Sequence, residues 1–284
     1  PRGGLKGGPP AWGSGFLPAT YQGTTLRSGT NPILNLKPPA YRDNTAFIRF
    51  LRRANLEHLA KRDHDDTLQA RIDSYELAFR MQAAAPELID TSGESKSTLD
   101  EYGVTRAEPE KNNFRGGGAN VYRQFSTNCL LARRLVERGV RCVTIMHASW
   151  DHHSNLDAEI SYNAGMLDQP AAALVRDLKR RGMLERTLVV FGTEFGRTPG
   201  AQGNGRDHHP QGFTCWLAGG GIKGGVTHGA TDELGFYAVE NRHYVTDIHA
   251  TVLYQLGLDP LQLEVPGRKR IDLHRGTPIH EIIA

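Results

Sequence analysis

Three short segments gather the carboxylates and imidazoles of this chain at spacings that suit chemistry: His147-Ala-Ser-Trp150-Asp151-His152-His153, Thr193-Glu194-Phe195-Gly196-Arg197-Thr198-Pro199 and Gly205-Arg206-Asp207-His208-His209-Pro210. Aspartate, glutamate and histidine are oxygen and nitrogen ligands for a hard or borderline divalent metal, and no thiolate lies among them to favour a structural zinc. In an extended Asp-x-His unit the two side chains point the same way, so Asp151 and His153 can grip one ion. A metal held there would polarise a phosphoryl or sulfuryl oxygen or acidify water. Arg197 offers a bidentate clamp for a tetrahedral oxyanion, or else a partner for Glu194 or Asp207. His152 and His209 read as supporting or solvent-facing residues. His147 reads as a sheet histidine or as a site residue.

Elements must hold these segments together, and hydrophobic periodicity predicts them. Asn44 reads as a helix N-cap, with Phe47, Ile48, Leu51, Ala54 and Leu59 following at helical spacing. Leu68, Ile72, Tyr75 and Phe79 mark a second helix that Pro86 should close, completing a hairpin. A short helix is expected near Thr98 to Tyr102, then a Gly116-Gly117-Gly118 break. From Val121 a helix runs to Gly139, and the β-branched run Val140 to Met146 reads as a buried strand. A helix from about Ile160 to Arg181, broken or kinked near Pro170, precedes a second buried strand at Thr187 to Phe191. A further strand is expected at Thr214 to Ala218 and a last helix at Asp247 to Leu256, capped by Gly257. This alternation predicts an α/β fold, a mainly parallel sheet flanked by helices, with ligands beyond the carboxyl ends of the strands. All three chemical segments fall in such strand-end loops. The chain divides into a loop-rich surface segment (1–43), a helical hairpin and loop insertion (44–118) and an α/β part (119–284).

Composition narrows the function classes. The chain has 284 residues, 38% of them hydrophobic, enough for a sizeable core. Mean hydropathy is −0.47 and no apolar run approaches the roughly 20 residues of a membrane span. Lys and Arg total 34 against 31 Asp and Glu. Basic residues such as Arg49, Arg52 and Arg53 alternate with acidic ones such as Glu57, which argues against a nucleic-acid stripe. Cys129, Cys142 and Cys215 form no CxxC pair and suggest no disulfide framework. The run Gly219 to Gly225 lacks the Walker spacing, although Lys223 could reach an anion. Ser92-Gly93-Glu94-Ser95 has no nucleophile-elbow pattern. His249 reads as a residue of the last helix.

Taken together, Trp150-Asp151-x-His153, Thr193 to Pro199, Gly205-Arg206-Asp207-His208, Ala218 to Gly225 and Asp247-x-His249-Ala250-Thr251 resemble the bacterial family called domain of unknown function 1501. Ser74 to Gln82 and Ala132 to Gly139 extend the resemblance over essentially the whole chain. That family is sulfatase-like and belongs to the alkaline phosphatase-like superfamily. The resemblance implies a doubly wound α/β fold and a metal-dependent hydrolase of sulfate or phosphate esters. It implies Asp151, His153 and His208 on one ion and Glu194 on a second. Relatives follow that acid with histidine where this chain has Phe195, and Asp207 is the substitute the sequence offers. The metal set thus becomes Asp151, His153, Glu194, Asp207 and His208, for zinc, manganese, calcium or magnesium, with Arg197 as anion clamp. The implied substrate is a small anionic ester or a sulfated or phosphorylated glycan.

The resemblance also implies export to the periplasm through a twin-arginine signal. It places the nucleophile upstream of Pro1, so the chain reads as a C-terminal portion that is inactive without its N-terminal half. Two other readings compete. One is a non-catalytic exported binding or scaffolding protein with a structural metal site. The other is a metal-independent helical interaction module at residues 44 to 86, which predicts that Asp151, His153, Glu194 and His208 lie far apart.

Overall fold

The fold is described by a computed structural model for residues 13–15, 17, 21–27, 44–62, 66–259, 262, 264 and 276–284. Most of segment 1–43 lies outside these residues, and Asn44, expected as an N-cap, is instead the first residue of the first helix. The predicted hairpin forms from α1 (Asn44–Leu59) and α2 (Asp66–Ile89). Pro86 does not close it. The proline loses its own donor but keeps its carbonyl, which accepts the Asp90 N–H at 3.1 Å, so the helix continues to Ile89.

Helices α3 (Lys96–Tyr102), α4 (Val121–Glu137) and α5 (Leu156–Arg180) build the core. Tyr102, Tyr122, Phe125, Cys129, Leu130, Tyr162, Met166 and Ala173 form one buried cluster between them. Each large apolar side chain removed from water there contributes about 1.5–3 kcal/mol. Ser95 caps α3 by accepting the Thr98 N–H, and Gly103, in the left-handed region at φ 77°, ends it. Pro170 is accommodated within α5, which runs unbroken.

A buried charge network ties these helices together. Arg133 pairs with Glu94 at 2.7 Å, Glu137 at 2.8 Å and Asp177 at 3.1 Å. Arg134 pairs with Glu94 and donates to the carbonyls of Glu87, Leu88 and Asp90, docking the end of α2 onto α4. Tyr102 donates its hydroxyl to Asp177 at 3.1 Å.

The expected parallel sheet is corrected by the structure. Among the described residues every paired strand is short and antiparallel. β1 (Val189–Phe191) pairs with β4 (Trp216–Ala218), β2 (Gly196–Arg197) with β3 (His208–His209), and β5 (Ala230–Thr231) with β6 (Ala238–Glu240). The run Val140–Met146 carries no ladder, and Val140 and Met146 are exposed. Strand β1 is only half-buried, with Phe191 stacked on Trp216 at 5.5 Å. A β-branched run states a preference, whereas a strand exists only when a second chain segment pairs with it. The doubly wound, alkaline phosphatase-like arrangement is therefore not what these elements form; the architecture is mixed, helices with three small two-stranded sheets. Helix α6 (Val245–Gln255) follows, and Gly257 at φ 71° ends it as predicted. The C-terminal residues return to the glycine run, with Lys223 N–H on Ile282 O at 2.8 Å. No helix among the described residues is long and apolar enough to cross a membrane.

Candidate metal centre

The β2–β3 hairpin sets the first half of the site. Its register places Arg197 opposite His208 and Gly196 opposite His209. Residues directly opposite on an antiparallel pair share a face, so Arg197 and His208 reach out together while His209 turns inward. His209 is buried and its Nε2–H donates to the Phe236 carbonyl. Gly196 sits on the crowded face, where a Cβ would meet the Gly212 carbonyl.

The second half is the loop between Met146 and α5. Ser149 takes a left-handed φ of 80°, a conformation that costs a non-glycine residue free energy and needs support from its surroundings. Asn163, fully buried on α5, provides it: its Nδ2 donates to Ser149 O at 3.0 Å and to His152 Nε2 at 3.0 Å. Gly116 packs so closely on Ser149 that a Cβ there would press on its side chain. From the other side, Arg206 N–H donates to His152 O at 2.9 Å, and Gly205 lies against the His153 backbone with no room for a Cβ. Asn204 holds the start of α5 through Leu156 N–H on its carbonyl at 3.1 Å. The loop that carries Asp151 and His153 is thus gripped on both sides.

What these two halves bring together is a triangle of ligand atoms. Asp151 Oδ1 lies 2.9 Å from His153 Nε2 and 3.0 Å from His208 Nε2, and the two Nε2 atoms are 3.0 Å apart. The three residues form a group able to hold a metal ion. Edges near 3 Å suit donors at about 2.1 Å from a shared centre and roughly 90° apart, which is how neighbouring ligands sit around a six-coordinate ion. The donor set fits such an ion: two imidazoles and one carboxylate are nitrogen and oxygen ligands that divalent metals accept. His153 Nδ1 faces Gln202 Oε1 at 2.8 Å. With the proton on Nδ1 donated to that amide oxygen, Nε2 keeps its lone pair for a metal.

Positive charge surrounds the triangle. Arg197 donates to Asp151 Oδ1 at 2.9 Å and Arg115 to Asp151 Oδ2 at 3.0 Å. Hydrogen bonds from His208 and Arg197 hold the Asp151 carboxyl well below the usual carboxylate range, so it stays ionised. Arg115 also lies 3.7 Å from Glu159. The His208 ring packs on Phe195 at 4.3 Å, and the Arg197 guanidinium lies 5.7 Å over the same ring. Phe195 thereby supports a ligand at the position where the resemblance led one to expect another ligand.

Other expected residues stand elsewhere. Glu194 is exposed and accepts the Thr193 hydroxyl at 3.1 Å, outside the triangle. Asp207 accepts the His208 N–H at 2.8 Å and lies 3.9 Å from His153 Nδ1, on the side of that ring away from the other two ligands. His147 accepts from Trp150 Nε1–H at 2.9 Å and packs on Phe125, and burial pushes its pKa down to about 4, so it is a neutral packing residue. His152 is buried behind the loop and burial lowers its pKa too. Lys223 donates to the Glu281 carbonyl at 3.0 Å. The helical-module reading required its four marker residues to be dispersed, whereas three of them meet. Sequence reasoning missed Arg115, Asn163, Gln202 and Asn204. Arg115 stood beside the glycine triplet, and the three amides carried no signal by type or spacing.

The family described as "Protein of unknown function (DUF1501)" matches residues 1–283. No curated protein and no solved structure matches the chain.

Proposed function

The chain belongs to the DUF1501 family of proteins of unknown function, and from that premise we propose that Asp151, His153 and His208 hold one divalent ion in a hydrolase of phosphate or sulfate esters. The observation that carries the reading is the near-equilateral triangle of Asp151 Oδ1, His153 Nε2 and His208 Nε2, with both histidines in the segments that the sequence singled out. A bound ion supplies Lewis acidity, which stabilises charge developing on a phosphoryl or sulfuryl oxygen and makes water more acidic.

The chain's own residues define what can approach. Asp151 contributes a fixed negative charge and Gln202 fixes the tautomer of His153. Arg197 and Arg115, each partly exposed, offer planar donor pairs to a tetrahedral oxyanion once the carboxylate engages a cation. A divalent ion and two guanidiniums outweigh Asp151, Asp207 and Glu159, so the site attracts an anion. The nucleophile is not assigned to any residue of this chain.

A second reading is a binding or scaffolding protein whose metal is structural. It is favoured by the position of Glu194, which among the described residues leaves the site with the ligands of one ion only. Calorimetric titration with Mn(II) and Zn(II), followed by assays with p-nitrophenyl phosphate and p-nitrophenyl sulfate, separates the two. Hydrolysis lost in Asp151→Ala and His208→Ala supports the hydrolase. Metal binding with neither turnover nor protection by the corresponding free anions establishes the structural role, and failure to bind either ion overturns both readings.

A further inference from the structure

A second pair of imidazoles meets far along the chain from the first site. His228 precedes β5 and His243 follows β6, and the β5–β6 hairpin, with Ala230 opposite Glu240, draws their ends together. Between β6 and His243 the chain turns at Asn241 through a left-handed φ of 42°. The two Nε2 atoms lie 2.9 Å apart and the rings are nearly parallel, 28° between planes with centroids at 5.1 Å.

Asp247 stands behind the pair. Its Oδ2 is 3.6 Å from His243 Nδ1. The carboxylate is itself fixed, since it accepts the backbone N–H of Tyr244 at 2.8 Å and of Thr277 at 2.8 Å. Burial opposes ionisation of Asp247, and these two N–H groups outweigh it and keep the carboxylate charged. The negative charge on that side favours the His243 proton on Nδ1 and the Nε2 lone pair toward His228, the arrangement in which a metal-ligating histidine is held. His228 then donates its Nε2–H to His243, and a change of His228 to the Nδ1–H tautomer frees a second lone pair with no net loss of a proton.

We propose that His228 and His243 form a second metal site, one that takes a Cu(II) or Ni(II) ion with solvent completing the coordination. Nitrogens 2.9 Å apart subtend about 90° at a centre roughly 2.0 Å from each, the angle between neighbouring ligands in the tetragonal geometry that these two ions prefer. The rings turn from facing one another to facing that shared centre. Among common divalent ions copper also has the highest affinity for imidazole donors.

The test is a calorimetric titration of the full chain with Cu(II) and with Ni(II). The native chain is expected to bind one equivalent more than the His228→Gln, His243→Gln double variant, and His243→Gln alone is expected to weaken that equivalent at least about tenfold. His249→Gln, an exposed histidine on α6, should leave it unchanged. In a chain carrying Asp151→Ala, His153→Ala and His208→Ala, Cu(II) electron paramagnetic resonance should show coupling to two nitrogens. Equal stoichiometry in the native chain and the double variant overturns the proposal, as does coupling to a single nitrogen; if the triple variant fails to fold, the stoichiometry comparison decides by itself.

Discussion

Gln202 Oε1 lies 2.8 Å from His153 Nδ1, and that single bond determines which nitrogen of the ring is left to face Asp151 and His208. A residue with no role in any recognisable motif therefore prepares the ligand that the motif supplies. Replacing Gln202 with leucine frees the tautomer and the ring orientation while leaving all three ligands in place. Affinity for Zn(II) or Mn(II) is expected to fall about 10- to 100-fold, with the circular dichroism spectrum unchanged. Unaltered affinity in calorimetry would show that the amide does not set the tautomer.

Asn163 should matter for stability and for the site together. Its truncation to alanine leaves Ser149 O and His152 Nε2 without their donor in a buried setting and removes the restraint on a left-handed serine. Unsatisfied buried groups cost about 1–3 kcal/mol each, so urea denaturation should show a loss of at least that size. Metal affinity should fall with it, whereas a substitution at exposed Glu185, in the short turn after α5, should change neither by more than about 0.5 kcal/mol.

Gly205→Ala is a steric probe. A Cβ at Gly205 collides with the His153 backbone, so the segment that carries His153 must shift. Overpacking of this kind costs about 1–3 kcal/mol. The expected signature is a weakened metal site in calorimetry accompanied by a lowered melting temperature, and a variant that binds Zn(II) like the native chain would contradict the close packing of these two loops.

The Arg133 and Arg134 network predicts acid sensitivity. Burial opposes ionisation of Glu94 and Asp177, but hydrogen bonds from Arg134 and Arg133 to Glu94, and from Arg181 to Asp177 with the charge of Arg133 nearby, hold both carboxyls below their ordinary values of 4.5 and 3.8. Groups with depressed folded-state values stabilise the native state fully above their unfolded-state values and lose that contribution as pH falls through the folded ones. Urea midpoints should therefore be steady from pH 7 to 5 and drop steeply below about 4. Glu94→Gln, which removes the carboxylate shared by two buried guanidiniums while Arg133 keeps Glu137 and Asp177 and Arg134 keeps its three carbonyls, should cost about 1–3 kcal/mol at pH 7 and show a flatter acid limb. A midpoint independent of pH down to 3 would contradict the pairing.

The residue pattern by itself determined the helices and the chemical vocabulary of the site. Apolar spacing along Val121–Glu137 and Val245–Gln255 is a local property of a 3.6-residue period, and it marked both helices to within a few residues. Asp151, His153 and His208 were legible because their types and loop positions name a ligand set. Only the tertiary structure decided which segments pair and which acids join. Val140–Met146 had the composition of a buried strand and found no partner, since pairing depends on chain segments distant in sequence. Glu194 and Asp207 had the right chemistry and fell outside the triangle, because the β2–β3 register aims Arg197 and His208 toward Asp151 and leaves its neighbours facing elsewhere. Arg115, Asn163 and Gln202 act through contacts 36, 11 and 49 residues away along the chain, and a polar side chain's long-range partner is not encoded in its local spacing.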